Sequence, residues 1–124
     1  MTAMQLVRET LMAYIKWPTK LRGKQLGICR YITDDGRKCA VGRCMLNPRE
    51  HACAATVTSL SYRYNFDDLL KPEYRGFPIQ LWEELQTFHD YDGNWTNKGL
   101  SARGDRTLAE LEKGAAAYDR KRAN

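Results

Sequence analysis

Four cysteines and two histidines are the residues in this sequence best equipped for chemistry, and five of the six fall between positions 29 and 53. Thiolate and imidazole are zinc's preferred protein ligands. The spacing C-x9-C-x4-C-x6-H-x-C, from Cys29 through Cys39, Cys44 and His51 to Cys53, lacks the closely paired cysteine knuckles of structural zinc sites. Cys39, Cys44, His51 and Cys53 are therefore the weakly indicated metal candidates. Zinc is the one metal this set would admit, and the expectation is no cofactor, with the thiols packed as small apolar groups.

A second chemistry is nucleophilic. Cys39-Ala40-Val41-Gly42 follows a candidate strand and opens a turn, where exposed amides would lower a thiol pKa; His89 and Asp90 supply residue types for a base and its orienter. A cysteine and a histidine fifty residues apart also meet by chance in many chains, so a packed pair competes with a catalytic one. The acidic alternation Asp90-Tyr91-Asp92-Gly93-Asn94-Trp95 has the start of a calcium loop but places Trp95 where the loop needs glycine and Ser101 where it needs a bidentate glutamate. It is read as a polar loop after a helix.

Binding chemistry is the third possibility. The net charge of +5 resides in the first half: residues 1–49 carry ten Lys/Arg against three acidic residues, and residues 50–124 carry ten against twelve. Lys16, Lys20, Arg22, Lys24 and Arg30, with Trp17 and Tyr31 among them, could follow a phosphate backbone and stack a base, although no named nucleic-acid motif is present. The positive field excludes a DNA mimic. Candidate protein-binding anchors are Trp17, Lys20, Arg22, Lys24, Tyr62, Tyr64, Tyr74, Arg75 and Trp95, because interface hot spots favour aromatic and arginine side chains.

The elements that must position these residues follow from periodicity. Met4, Val7, Leu11 and Tyr14 mark an amphipathic helix over 3–16, capped by Thr2 and stopped by Pro18. Ile28, Arg30 and Ile32 alternate with Cys29, Tyr31 and Thr33, and Asp34-Asp35-Gly36 supplies a turn, so a hairpin is expected over 26–41. Asn47-Pro48-Arg49-Glu50 reads as the start of a helix over about 48–60, followed by an irregular aromatic segment to Lys71-Pro72. Leu81, Leu85 and Phe88 define a core helix over 78–91. Thr107 and Glu110 form a capping box for a last helix over 107–121, with Arg103-Gly104-Asp105 read as the turn before it. With 124 residues and no linker, the chain is expected to be a single α+β domain, mainly helical with a small β-hairpin. No membrane-length apolar run or signal-peptide core is visible, so a cytoplasmic location and no membrane partner are expected.

Two blocks carry a resemblance. Cys29-Arg30-Tyr31 with Gly36-Arg37-Lys38-Cys39-Ala40-Val41-Gly42, and Leu85-Gln86-Thr87-Phe88-His89-Asp90, are similar to the C-x-Y, G-x-K-C-A-[IV]-G and L-Q-x-x-H-D patterns of small uncharacterised proteins from bacteriophages and bacteria. The chain departs from that pattern after Gly42, at Arg43-Cys44-Met45-Leu46 and Asn47-Pro48. The resemblance implies an origin and a functional region rather than a reaction, and it brings Cys39 near His89. The expected function is accordingly that of a small phage-type accessory protein that binds a host protein, for example as an inhibitor of a bacterial defence or nuclease complex, and the expectation is that it is not an enzyme. The alternatives are nucleic-acid binding through the basic half and a Cys39–His89 thiol hydrolase or transferase.

Overall fold

The computed structural model describes residues 1–25, 28–51 and 55–123, with the backbone alone of Ile28 and Cys29. It is an α+β domain of mainly helical build, with α1 (Ala3–Tyr14), α2 (Pro18–Leu21), α3 (Val57–Arg63), α4 (Ile79–Asp90) and α5 (Ala102–Ala123). Four strands of two residues each accompany them: β1 (Lys24–Gln25) pairs antiparallel with β2 (Ile28–Cys29), and β3 (Trp95–Thr96) with β4 (Gly99–Leu100). Short 3-10 turns fill the intervals.

Helix α1 starts where its sequence predicts. The Thr2 hydroxyl accepts from the Gln5 amide, and the Gln5 side chain reaches back to the Thr2 amide, completing a capping box. It ends at Tyr14, two residues short of the expected bound. Pro18, pre-set for the first helical turn, also begins α2, so the chain turns a corner there.

Of the hairpin expected over 26–41, Leu26 and Gly27 lie outside the described residues, and the rest is only partly built. The Asp34-Asp35-Gly36 turn forms, but a single bridge, Ile32 to Lys38, closes it. On the turn side the Thr33 amide donates to the Arg37 carbonyl and the Arg37 amide to the Thr33 hydroxyl; away from the turn the Arg30 amide donates to the Gly23 carbonyl, so the chain pairs upstream there. β2 pairs instead with the upstream β1, whose polar Lys24-Gln25 carries no strand signal. Residues beyond Cys39 coil into a 3-10 turn, Gly42–Cys44.

The helix expected over about 48–60 is replaced by a 3-10 turn at Pro48–Glu50 and the later α3; Ala52, Cys53 and Ala54 lie outside the described residues. Asn47 makes no side-chain cap, whereas the Thr56 hydroxyl accepts from the Ser59 amide and starts α3. Helix α4 matches its predicted bounds within a residue at each end. Helix α5 begins five residues earlier than expected, with Arg103-Gly104-Asp105 in its first turn. Ser101 provides the start, its hydroxyl accepting from the Gly104 amide and its carbonyl from the Asp105 amide. Thr107 is interior: its hydroxyl donates to the Arg103 carbonyl.

The apolar faces meet in one core. Leu6, Val7 and Tyr14 of α1 join Trp82, Leu85 and Phe88 of α4 and Leu111 and Ala115 of α5, with Val41, Met45 and Leu70 from the connecting turns. Helices α1 and α5 pack against each other, and the Asp119 carboxylate accepts from the Ala3 and Met4 amides at 2.8 and 3.0 Å. It thereby satisfies two open donors at the N-terminus of α1 and lies at the positive end of that helix's dipole. Asp119→Ala is expected to lower stability by about 1 kcal/mol, the usual cost of losing a helix cap. Urea denaturation measures it, and an unchanged midpoint would show that α1 is held without this contact.

Candidate functional site

The two sequence blocks meet on one face of α4. Gln86 links them: its side-chain oxygen accepts from the Val41 amide at 3.1 Å, and its nitrogen donates to Asp90 Oδ1 at 2.8 Å. Two glycines permit the approach. A Cβ on Gly42 would lie 1.9 Å from the Tyr31 carbonyl oxygen, and one on Gly23 would lie 2.4 Å from the Cys39 amide nitrogen. Only a residue without a Cβ fits at either crossing.

His89 sits in the core with no exposed surface. Its Nε2 accepts from the Gly23 amide at 3.1 Å, so the ring proton resides on Nδ1, which donates to Asp90 Oδ1 at 2.7 Å. Burial pushes the His89 pKa below its ordinary value; the hydrogen bond and negative charge of Asp90 oppose that shift without overcoming it. The imidazole is therefore neutral, with both nitrogens engaged. Tyr14 packs edge-on against the ring at 4.8 Å between centroids and donates its hydroxyl to the Lys38 carbonyl at 2.6 Å. This ties the end of α1 to the residue before Cys39.

Cys39 is equally enclosed. Burial raises its pKa to about 12, outweighing the Gly42 amide that donates to Sγ at 3.3 Å. Cys44 is likewise buried, with a pKa raised to about 12 by burial. Cys39 and His89 each adjoin Gly23, but both histidine nitrogens are spent on other partners. Asp90 orients the imidazole as a catalytic carboxylate would, yet the ring it orients faces a backbone amide rather than a thiol.

Among the described residues the zinc candidates do not gather. Cys39 and Cys44 lie in the core, His51 is half-buried between Tyr31 and Tyr64 at ring distances of 6.5 and 5.8 Å, and Cys53 is outside the described residues. Among the described residues, no group of three or more His, Cys, Asp and Glu side chains is arranged to hold a metal.

The binding candidates divide by exposure. Arg22 is buried and caps the C-terminal end of α4, its Nε and Nη2 donating to the His89 and Asp90 carbonyls at 2.8 and 3.0 Å. Its remaining nitrogen lies 3.1 Å from Asp92, which Lys24 also meets at 2.7 Å; the Lys24 hydrogen bond, then Arg22, holds the Asp92 carboxyl below its usual pKa. Trp95 is also buried, its indole donating to the Phe88 and His89 carbonyls. These two side chains belong to the core, because the end of α4 needs donors for its open carbonyls. Tyr74 is half-buried against Glu9 and Arg43, and Arg75 donates from two nitrogens to the Leu70 carbonyl.

Trp17, Lys20, Tyr62 and Tyr64 do face outward. Trp17 is 55% exposed, with Lys20 Nζ 4.4 Å from its ring, and Leu21 is exposed one helical turn further on. Met12 and Lys16 also stand exposed, four residues apart near the end of α1. Tyr62 and Tyr64 form a second outward-facing pair at the end of α3.

Sequence reasoning passed over Gly23, and it named Tyr14 only as a position on the face of α1 and Gln86 only within its motif. Of these only Gln86 left a signal, a glutamine four residues before Asp90 on the same helix face, which is a hydrogen-bonding spacing. No family model, curated protein or solved structure matches the chain. No described helix is long and apolar enough to cross a membrane.

Alkylation of the folded protein at neutral pH should modify Cys39 and Cys44 far more slowly than denaturant-unfolded chain, read by mass spectrometry of the intact protein and its peptides. Rapid labelling of Cys39 in the folded state would restore a reactive thiol.

Proposed function

We propose that the protein is a non-catalytic binding module, a small phage-type accessory protein that docks on a host protein through the α1–α2 corner. The observation that carries this reading is Trp17. A large apolar ring is left more than half exposed at a corner where Pro18 and the Trp17–Lys20 contact restrict its freedom. A side chain already ordered in the free protein loses little entropy on docking, and a tryptophan that fills a partner's pocket is a typical hot spot. Leu21 and Met12 widen the apolar contact, and Lys16 and Lys20 suit an acidic rim on the partner. An inhibitor of a host defence or nuclease complex is one role such a module would serve.

The same corner supports a second reading. An exposed tryptophan flanked by lysines also suits a single-stranded nucleic acid, with a base stacked on the ring and phosphates on the lysines. The geometry offers less to thiol chemistry, since Cys39 and His89 are both enclosed and otherwise engaged.

Affinity purification of the tagged protein from bacterial lysate, with and without nuclease, distinguishes these. Recovery of one host protein after nuclease, lost in Trp17→Ala but retained in Tyr62→Ala, is the expected result. A Trp17→Ala loss of about 2 kcal/mol or more against the purified partner would mark a hot spot. Loss of every partner on nuclease treatment would transfer the function to nucleic acid, and undiminished capture by Trp17→Ala would remove this corner.

A further inference from the structure

A cleft of about 450 Å³ opens above Cys39, between α4 on one side and Tyr31 and the start of α3 on the other. Its size falls within the range of small-molecule sites. Glu83 and Asp90 line it from α4, seven residues and so roughly 10 Å apart along one helix face, and Arg30 lines it from the opposite wall.

Much of the polar lining is already engaged. Gln86 is bonded at both ends, the Tyr31 hydroxyl donates to the Ala55 carbonyl, and the Thr58 hydroxyl donates to Glu83. Three charged groups keep capacity among the described residues. Asp90 receives His89 and Gln86 on Oδ1, which fixes the carboxylate and leaves Oδ2 without a partner. Glu83 has one oxygen beyond its bond to Thr58. Arg30 uses Nη1 for Gln25 and Asp34, while Nε is enclosed without a hydrogen-bond partner. Nη2 is the nitrogen left to receive a carboxylate from the cleft.

One cation and two anions facing a small cleft define a complementary molecule. It has a carboxylate for Arg30, an ammonium group for Asp90, and a second cation on an aliphatic stem that reaches Glu83. The stem would cross Tyr31, Ala55 and Val57, which line the cleft. We propose that this cleft binds a free basic amino acid of the lysine, ornithine or arginine type. The site is separate from the α1–α2 corner and stands whether or not that corner binds a partner.

Isothermal titration of the full-length protein with L-lysine, L-ornithine and L-arginine tests the assignment, against analogues that each lack one charge: Nα-acetyl-lysine, lysinamide and norleucine. The expected result is one site per chain for at least one basic amino acid, with each analogue of lysine weaker by about tenfold or more, the change from losing one well-placed charge contact. Glu83→Gln should weaken lysine while leaving norleucine unchanged. Because Asp90 also braces His89, Asp90→Asn is compared only after circular dichroism shows the native fold. No heat of binding at millimolar concentrations of any of the three amino acids would overturn the proposal. So would equal binding of all the analogues. A lysine-ended peptide that binds as well as free lysine would place a protein C-terminus in the cleft and overturn the free amino acid.

Discussion

A neutral imidazole held between a carboxylate and a backbone amide is the constraint on which the centre of this protein depends. His89 receives the Gly23 amide and donates to Asp90, so a residue near the end of α4 is tied to the link between α2 and β1. The other central contacts are arranged around this one. Gln86 secures the same carboxylate and holds the Val41 amide, Arg22 crosses from beside Gly23 to the last carbonyls of α4, and Tyr14 covers the ring and reaches Lys38. A buried donor or acceptor deprived of its partner costs about 1–3 kcal/mol. Any shift of Gly23 or α4 would strand several such groups together, which makes the arrangement cooperative.

That arrangement accounts for a sequence pattern that looks catalytic. Cysteine, histidine, aspartate and glutamine brought together in two short blocks are the residue types of a thiol enzyme, and here they are also what is needed to close a small core around irregular backbone. The 3-10 turn after Cys39 and the short strands β1 and β2 leave many amides outside regular pairing, and side chains must satisfy them. Polar residues at the centre therefore substitute for the long ladders that the described residues lack. Exposed chemistry is left to other parts: the corner at Trp17, the tyrosines at the end of α3, and the unspent charges of the cleft above Cys39.

The parts of the fold legible in the sequence were those determined by local periodicity and capping. The stripe of Leu81, Leu85 and Phe88 located α4, and Thr2 located the start of α1. The strands were harder to read because their pairing is non-local: Lys24-Gln25 resembles any polar segment until β2 folds onto it. Capping signals also compete. Thr107 and Glu110 have the spacing of a box, yet Ser101 starts the helix because the β3–β4 hairpin delivers it next to the Gly93 and Asn94 carbonyls, which Ser101 engages through its hydroxyl and amide. At the site, the pairing of His89 with Asp90 was legible from their adjacency, but the Gly23 partner of the other ring nitrogen was not, since a glycine amide has no side chain to announce it. Arg22 and Trp95 show the same limit: residue types that favour interfaces also serve as buried caps.

The account rests on His89 being neutral, enclosed and committed to Gly23 and Asp90. Burial lowers its pKa, so the imidazole should remain uncharged at pH values where an exposed histidine has begun to protonate, and proton uptake at lower pH should favour the unfolded state. A long-range nitrogen–proton NMR spectrum of the histidine rings, recorded from neutral pH downward, measures this directly. The structure requires the neutral ring with its proton on Nδ1, together with a Gly23 amide protected from solvent exchange. An imidazolium that titrates near the ordinary histidine value, or a ring protonated on Nε2, would contradict the central contact and return His89 to the residues available for chemistry.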